Sequence, residues 1–458
     1  MIKSTNPADA SHLQNHEFHT DQQVQSVLAQ AVRAQQAWAA QSVVERCKLL
    51  TQVAAVLRDK KAEYARLMTL EMGKPITEAE AEVEKCAWTC DFYAEAAPRF
   101  LADQAVDSNA SQSAVVFDPL GVVLAIMPWN YPFWQFIRFA APALAAGNGA
   151  VLKHANNVPA CALALQQVFS LAGAPAGLVS TLLIDSGAVS GLIDDERIAA
   201  VTLTGSTAVG KLVASQAGRA LKKQVLELGG SDPFIVLADA DIELAAKTAV
   251  KARFSNTGQS CISAKRFIVE DSVADRFAEL FCKAAAGLKV GDPLVRDTTV
   301  GPMARGDLRD ELHAQVQRSI AVGAVLRMGG QAVDGPGYFY PPTVLDYVTA
   351  DMAAGCEETF GPVAAIIRVA GVEEAIEMAN NTEFGLGAAL WTSDLARAKT
   401  LARRIQAGAV FINGMVASDA RLPFGGVKQS GYGRELGEFG IREFTNIKTV
   451  WIGPAQPA

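Results

Sequence analysis

From Gly121 onward the chain alternates short apolar runs with helical segments, and this alternation restricts it to a parallel α/β architecture. Strands are expected at Gly121–Met127, Gly149–Lys153, Val179–Ile184 and Ala200–Leu203, with a helix over Ala160–Ala172 among them. A second series begins near Pro233. There Phe234–Leu237, Phe267–Val269, Val363–Val369, Ala388–Thr392 and Ala409–Asn413 read as strands, and Ile242–Ser255 and Val273–Leu288 as helices. Two such series imply two α/β units. No repeat, low-complexity tract or flexible linker lies between them, so they are expected to be tightly joined.

Ahead of the first series the pattern is helical, from Gln22 to about Phe100. Apolar residues recur at three- and four-residue spacing, as in Val24, Leu28, Ala31 and Val32, then Leu49, Leu50, Val53 and Leu57. Gly73-Lys74-Pro75 interrupts the run, and Thr77 is the expected cap of the next helix. After Arg99 the texture changes. Ser108 to Val115 is polar with small residues, Val115-Val116-Phe117 reads as a strand, and Glu443–Ile452 reads as an extended tail.

Composition excludes several classes of function. Of 458 residues, 50% are hydrophobic and 19% charged, enough for large cores and not a disordered chain. A net charge of -7 and a pI near 5.4 give no basic face for nucleic acid. Seven scattered cysteines, an odd number, do not form a disulfide framework. Met1 to Thr20 lacks the basic start and apolar run of a signal peptide. No apolar stretch reaches the roughly 18–20 residues that span a bilayer. A cytoplasmic protein without a membrane partner is expected.

Four segments carry candidate chemistry. Gly205-Ser-Thr-Ala-Val-Gly210-Lys211 matches a phosphate-loop pattern, but Leu212 stands where such loops need a metal-binding hydroxyl. What survives is a helix N-terminus able to bind an anion such as a dinucleotide pyrophosphate; the other reading is a simple tight turn. Cys261, in Asn256-Thr-Gly-Gln-Ser-Cys-Ile, follows small and polar residues with Gly258 freeing the backbone for a sharp turn. That setting suits an accessible thiolate nucleophile, against the common alternative of a buried, inert thiol. Cys86 and Cys90 share a helix face without a histidine or cysteine partner nearby, so they read as packing and no metal site is expected. Glu227, between two leucines and entering Gly229-Gly230, is a candidate general base with a raised pKa; a salt-bridged strand-end glutamate is the other reading. Asn130, in Pro128-Trp-Asn-Tyr-Pro132 at a strand end, is placed to donate to a developing oxyanion, or simply sits in a rigid turn packed by Trp129 and Tyr131.

These segments occur in a fixed order, with Lys153 among them. The same chain holds Asn6-Pro7, Leu70-Glu-Met-Gly-Lys-Pro75, Glu357-Glu-Thr-Phe-Gly-Pro-Val363 and Pro423-Phe-Gly-Gly-Val-Lys-Gln-Ser-Gly431. Together they resemble the aldehyde dehydrogenase superfamily almost end to end. The chain looks most like its bacterial succinate-semialdehyde dehydrogenases, through Trp129 to Arg138, Leu152-Lys-His-Ala-Asn-Asn-Val158, Leu226 to Val236 and Ser418-Asp-Ala-Arg421.

The resemblance implies an α/β fold with a Rossmann-like cofactor domain (residues 1–100 and 120–228), an α/β catalytic domain (229–437) and a small β oligomerisation element (101–119 and 438–458). A homodimer or homotetramer is implied. Cys261 would attack the aldehyde, Asn130 and the Cys261 amide would hold the oxyanion, and Glu227 would activate water against the thioester. Glu435 matches a family glutamate placed for proton relay. For NAD or NADP, the resemblance implies contacts from Met127, Trp129, Lys153, Asn156, Gly205, Ser206, Leu228, Glu358 and Phe360. Lys153 goes to the adenosine ribose, Gly205 and Ser206 to the pyrophosphate, Glu358 to the nicotinamide ribose, and Phe360 packs beside the nicotinamide.

Two departures bear on specificity. Asn156 stands where NAD-preferring relatives often carry glutamate; a neutral amide admits the 2′-phosphate of NADP, and His154 and Lys153 are expected to help bind it. Arg138 matches an arginine that pairs with the distal carboxylate of succinate semialdehyde, against the reading of an ordinary helix arginine. The resemblance also implies Trp134 and Ser255 as substrate residues, and Ser255 stands where well-studied relatives carry a second arginine. Competing readings are a broad-specificity aldehyde dehydrogenase, a coenzyme-A-acylating relative, which Glu227 opposes, and a non-catalytic cofactor-binding or structural protein.

Overall fold

The computed structural model describes residues 1–453. Two sheets form the frame. The first has six strands, in the spatial order Gly431–Tyr432, Lys223–Glu227, Ile198–Thr204, Val122–Met127, Gly149–His154, Val179–Thr181. All neighbours are parallel except Gly431–Tyr432, which is antiparallel to Lys223–Glu227. The second has seven strands, ordered Val325–Met328, Thr343–Asp346, Val363–Val369, Ala264–Glu270, Asp232–Val236, Gly387–Trp391, Ala409–Ile412, with only the Val325–Met328 edge antiparallel. The expected strands therefore form, most within two residues of the expected ends. Gly431–Tyr432, inside the expected 229–437 unit, pairs with Lys223–Glu227 of the first sheet, in the expected 120–228 unit.

The helical N-terminal region divides into Asp21–Ala39, Val43–Asp59, Lys61–Met72 and Ile76–Phe100. Thr20 and Gln23 form a reciprocal capping box at the first, and Ser42 caps the second. Gly73 ends the third at φ +80°, a left-handed conformation glycine adopts without a Cβ clash. Thr77 is not the cap of the fourth: Pro75 occupies that place with no side-chain bond, and its fixed φ pre-sets the turn. The fourth helix buries Val83, Cys86, Ala87, Cys90 and Tyr93 against its neighbours, which confirms Cys86 and Cys90 as packing. Among the described residues no cluster of metal-ligating side chains occurs.

Two small sheets complete the chain. Ile2–Thr5 pairs with His12–His16 in a hairpin whose polar residues give no strand pattern in the sequence. The tail Thr445–Ile452 pairs antiparallel with Gln112–Pro119, which also holds Gln104–Ala105. This three-stranded sheet leaves Ile447 60%, Trp451 48% and Ile452 48% exposed.

Candidate active site

The candidate residues collect because of sheet polarity. In a parallel sheet every strand ends on the same edge, where the backbone turns out into loops that can receive a ligand. Met127 and the Pro128-Trp-Asn130 turn, Lys153, Gly205-Ser206 and Glu227-Leu228 all leave the first sheet at this edge. The Gly205 amide donates to the Glu227 carbonyl (3.0 Å), locking the two strand ends side by side. The second sheet faces them with the segments that precede its strands: Gly229-Gly230, Cys261, and Glu358 to Phe360.

A channel runs along this seam. One cavity of about 600 Å³ is lined by Met127, Lys153, Asn156, Gly205 and Ser206. A second, of about 580 Å³, continues over Gly205 and Ser206 to Trp129, Leu228, Glu358, Phe360, Asn130 and Cys261. Although the protein is acidic overall, the first cavity carries Lys3, Lys153 and Arg305 and no carboxylate among the described residues. Ser206 caps the helix Thr207–Arg219, so free amides face this region, while Lys211 lines neither cavity. The phosphate-loop pattern is thus reduced to its helix N-terminus. The Lys153 amine donates to Asn156 Oδ1 (2.9 Å), which leaves its charge uncancelled. His154 does not join it, contrary to expectation. Its ring nitrogen bonds the Pro132 carbonyl (2.9 Å), and burial holds its pKa near 4, so the ring is neutral and turned away from any phosphate.

Close backbone approach shapes the inner end. A Cβ on Gly229 would lie 2.5 Å from the Glu358 carboxylate, and one on Gly230 would lie 2.7 Å from the Cys261 carbonyl. Only glycines let the two sheets meet here. Glu358 Oε1 accepts the Gly230 amide (2.9 Å) and faces Lys265 at 3.5 Å. Trp129 and Phe360 meet edge to face at 5.8 Å.

The loop that presents Cys261 is strained and over-determined. Asn256, Thr257 and Gly258 hold φ of +53°, +56° and +70° in succession, and each non-glycine residue there costs about 1–2 kcal/mol. The surroundings fix it. Glu78 accepts the Asn256 amide (2.7 Å), the Asn256 side chain donates to the Asn130 carbonyl (2.9 Å), and the Ala304 amide donates to the Gln259 side chain (2.9 Å). The Lys265 amine donates to the Ser260 and Cys261 carbonyls (2.9 and 2.8 Å). Neither Glu78 nor Lys265 stands out in the sequence reading. A signal for Lys265 exists: two adjacent cations open an otherwise apolar buried strand, Ala264-Lys-Arg-Phe-Ile-Val.

Asn130 is buried, and Nδ2 donates to the Gln259 carbonyl (3.1 Å). A side-chain amide has two N–H groups, so one is left for a ligand oxygen. Burial pushes the Cys261 thiol up to about 12, against the opposing pull of Arg138 and Lys265. Glu227 is 2% exposed, and among the described residues neither carboxylate oxygen has a hydrogen-bond partner. Burial first, then the neighbouring Glu435, raises it to about 8, with Arg138 and Arg434 acting the other way. Glu435 is likewise raised by burial and held down by Arg138.

The structure places the substrate candidates differently. Trp134 and Arg138 lie one turn apart on the helix Trp134–Ala145. The Arg138 guanidinium, however, is 2% exposed, ion-paired with Glu435, and 3.3 Å from the Thr204 hydroxyl. Ser255 turns its hydroxyl to the Lys251 carbonyl (2.8 Å).

Known proteins share this arrangement. The aldehyde dehydrogenase family model matches residues 1–450. A probable succinate-semialdehyde dehydrogenase (NADP+) of Synechocystis is 52% identical over 451 residues, covering 98% of this chain and 99% of that one. The succinate semialdehyde dehydrogenase (NAD(P)+) Sad of Escherichia coli is 50% identical, covering 98% and 97%. The crystal structure of succinic semialdehyde dehydrogenase from Streptococcus pyogenes, in complex with NADP+, superposes with a TM-score of 0.97 at 40% identity, covering 99% and 100%. With its fold, its channel and its thiol at the inner end, the chain belongs to the aldehyde dehydrogenase family.

Proposed function

We propose that the protein oxidises succinate semialdehyde to succinate with NAD or NADP. The observation that carries this reading is a thiol and a side-chain amide at the inner end of a channel whose outer cavity is lined by cations, with the buried carboxylate of Glu227 close enough to act on the thiol. The semialdehyde is supported by the relatives at about half identity.

The channel residues fit a dinucleotide. Lys153 and Asn156 suit the adenosine ribose, Gly205 and Ser206 the pyrophosphate, Glu358 the second ribose and Phe360 with Trp129 the nicotinamide. When bound, the nicotinamide supplies the hydride acceptor. The chain's own residues do the rest. Cys261 gives its proton to water in the channel as the sulfur bonds the aldehyde carbon, giving a thiohemiacetal. Asn130 Nδ2 and the Cys261 amide hold the oxygen as it becomes an alkoxide. After oxidation the sulfur carries a thioester. Glu227 takes a proton from water, the hydroxide adds to the thioester carbon, and the carbon–sulfur bond breaks to return the Cys261 sulfur. Glu435, held by Arg138, stands beside Glu227 to pass that proton on.

The test is absorbance of reduced nicotinamide with purified protein, succinate semialdehyde and either cofactor. Turnover with this substrate above that with propanal is expected; turnover only with uncharged aldehydes overturns the substrate, and none with any aldehyde overturns the enzyme reading. Cofactor choice has its own test. Asn156→Glu puts a carboxylate beside Lys153 and opposite a 2′-phosphate, where like charges repel. The ratio of kcat/KM for NADP over NAD should fall on the order of 10–100-fold. An unchanged ratio would remove Asn156 from cofactor selection.

Two assembly readings accompany this one. The exposed apolar face of the tail sheet supports a homodimer, or a homotetramer of dimers, paired across it. The seven cysteines, all free thiols, support a cytoplasmic location.

A further inference from the structure

Lys265 takes no part in the chemistry above, yet its side chain lies fully buried beside the nucleophile. It is the second residue of the strand Ala264–Glu270. A lysine is almost never fully buried unless its charge is paired. Here the Glu358 carboxylate stands 3.5 Å away, and the two close bonds of the amine go to main-chain carbonyls. They are those of Ser260 (2.9 Å) and Cys261 (2.8 Å).

The Ser260 carbonyl belongs to the same peptide unit as the Cys261 amide. A trans peptide is planar, so its C=O and N–H point in opposite directions. Holding the carbonyl therefore aims the amide. The Ser263 amide donates to the same Ser260 oxygen (3.2 Å), which fixes this peptide from two sides. Among the described residues the Cys261 amide itself has no acceptor, so it is open to a ligand oxygen. A positive charge on the carbonyl oxygen also polarises the peptide and makes its N–H a stronger donor. The lysine has a firm base for this, because Ala264 pairs with Asp232 and Arg266 with Ala365 inside the second sheet.

We propose that Lys265 is a positioning residue of the oxyanion site: through the Ser260 carbonyl it aims and polarises the Cys261 amide toward the aldehyde oxygen. It touches no substrate and acts only through the peptide between Ser260 and Cys261. Arg138, Glu227 and Glu358 also place charge near the sulfur, but Lys265 alone among them bonds this peptide. The inference rests on the reading of Cys261 as nucleophile and names what sets the second donor beside Asn130.

The test separates the oxygen from the sulfur. Alkylation of Cys261 by iodoacetamide displaces iodide from a saturated carbon and develops no oxyanion, whereas attack on an aldehyde does. Both reactions are followed on the full-length wild type and Lys265→Met, at one pH and with saturating NADP. Reduced nicotinamide gives kcat/KM for succinate semialdehyde, and the mass of the Cys261 peptide gives the alkylation rate. Lys265→Met should lose kcat/KM on the order of 10–100-fold more than it loses alkylation rate. Lys265→Gln carries the same comparison where Lys265→Met does not bind NADP. Equal losses in the two rates, or no loss in either, would overturn the inference and leave Lys265 as a support of the loop alone. A wild type whose turnover survives alkylation of Cys261 would overturn the nucleophile reading and this inference with it. A wild type inactivated by that alkylation, beside a variant with equal losses, would overturn this inference alone.

Discussion

Cys261→Ala should abolish aldehyde-dependent formation of reduced nicotinamide, by about 10⁴-fold or more. The reaction is split into two steps only because a sulfur holds the carbonyl carbon between them, and no other thiol can take over. Cys47, Cys86, Cys90 and Cys161 are buried in the N-terminal core, and Cys282 and Cys356 do not line the channel. Burial also keeps the Cys261 thiol protonated at neutral pH, so attack and proton loss belong to one event. The channel itself is untouched by the substitution. Cofactor binding, followed by fluorescence quenching of Trp129 and its neighbours, should therefore persist while turnover vanishes. Residual turnover within tenfold of wild type would remove Cys261 from the reaction.

Glu227→Gln should separate the two halves of the reaction. The amide keeps the shape and cannot accept a proton from water. The first half-reaction then produces reduced nicotinamide stoichiometric with enzyme, and the steady rate that follows falls by about 10²–10⁴-fold. Intact-mass analysis of the stalled enzyme should find the acyl group on Cys261. The wild-type pH profile has a definite sign. A general base works in its deprotonated form, and burial raises Glu227 to about 8. The hydrolytic step should therefore slow below pH 8 and climb through it, and Glu227→Gln should lose that limb. A variant with no burst and the wild-type pH profile would assign the base elsewhere. Glu435 is the first alternative, because it too is buried and raised.

The candidate channel residues are legible in the sequence because they sit at strand ends. A strand's end in a parallel sheet is fixed by local pattern, so the alternation of strands and helices already puts Met127, Lys153, Gly205 and Glu227 on one edge. Residues defined by their partners across the chain are not legible in this way. Arg138 reads as a free guanidinium in sequence, yet Glu435, almost 300 positions away, pairs with it. His154 reads as a cation beside Lys153, yet burial against Pro132 leaves it neutral. Thr77 has the chemistry of a cap, but Pro75 already fixes the turn.

By itself the sequence determined the α/β class and the order of the strands along the chain, because periodicity and turn chemistry are local, and it named the thiol, carboxylate and amide as candidates. Only the tertiary structure decided which charges cancel. Glu435 pairs with Arg138, Lys265 holds the loop of Cys261, and among the described residues Glu227 has no hydrogen-bond partner and Lys85 no counter-ion. The reason is that a charge's effect depends on distance and burial, and both arise only when segments far apart in the chain meet.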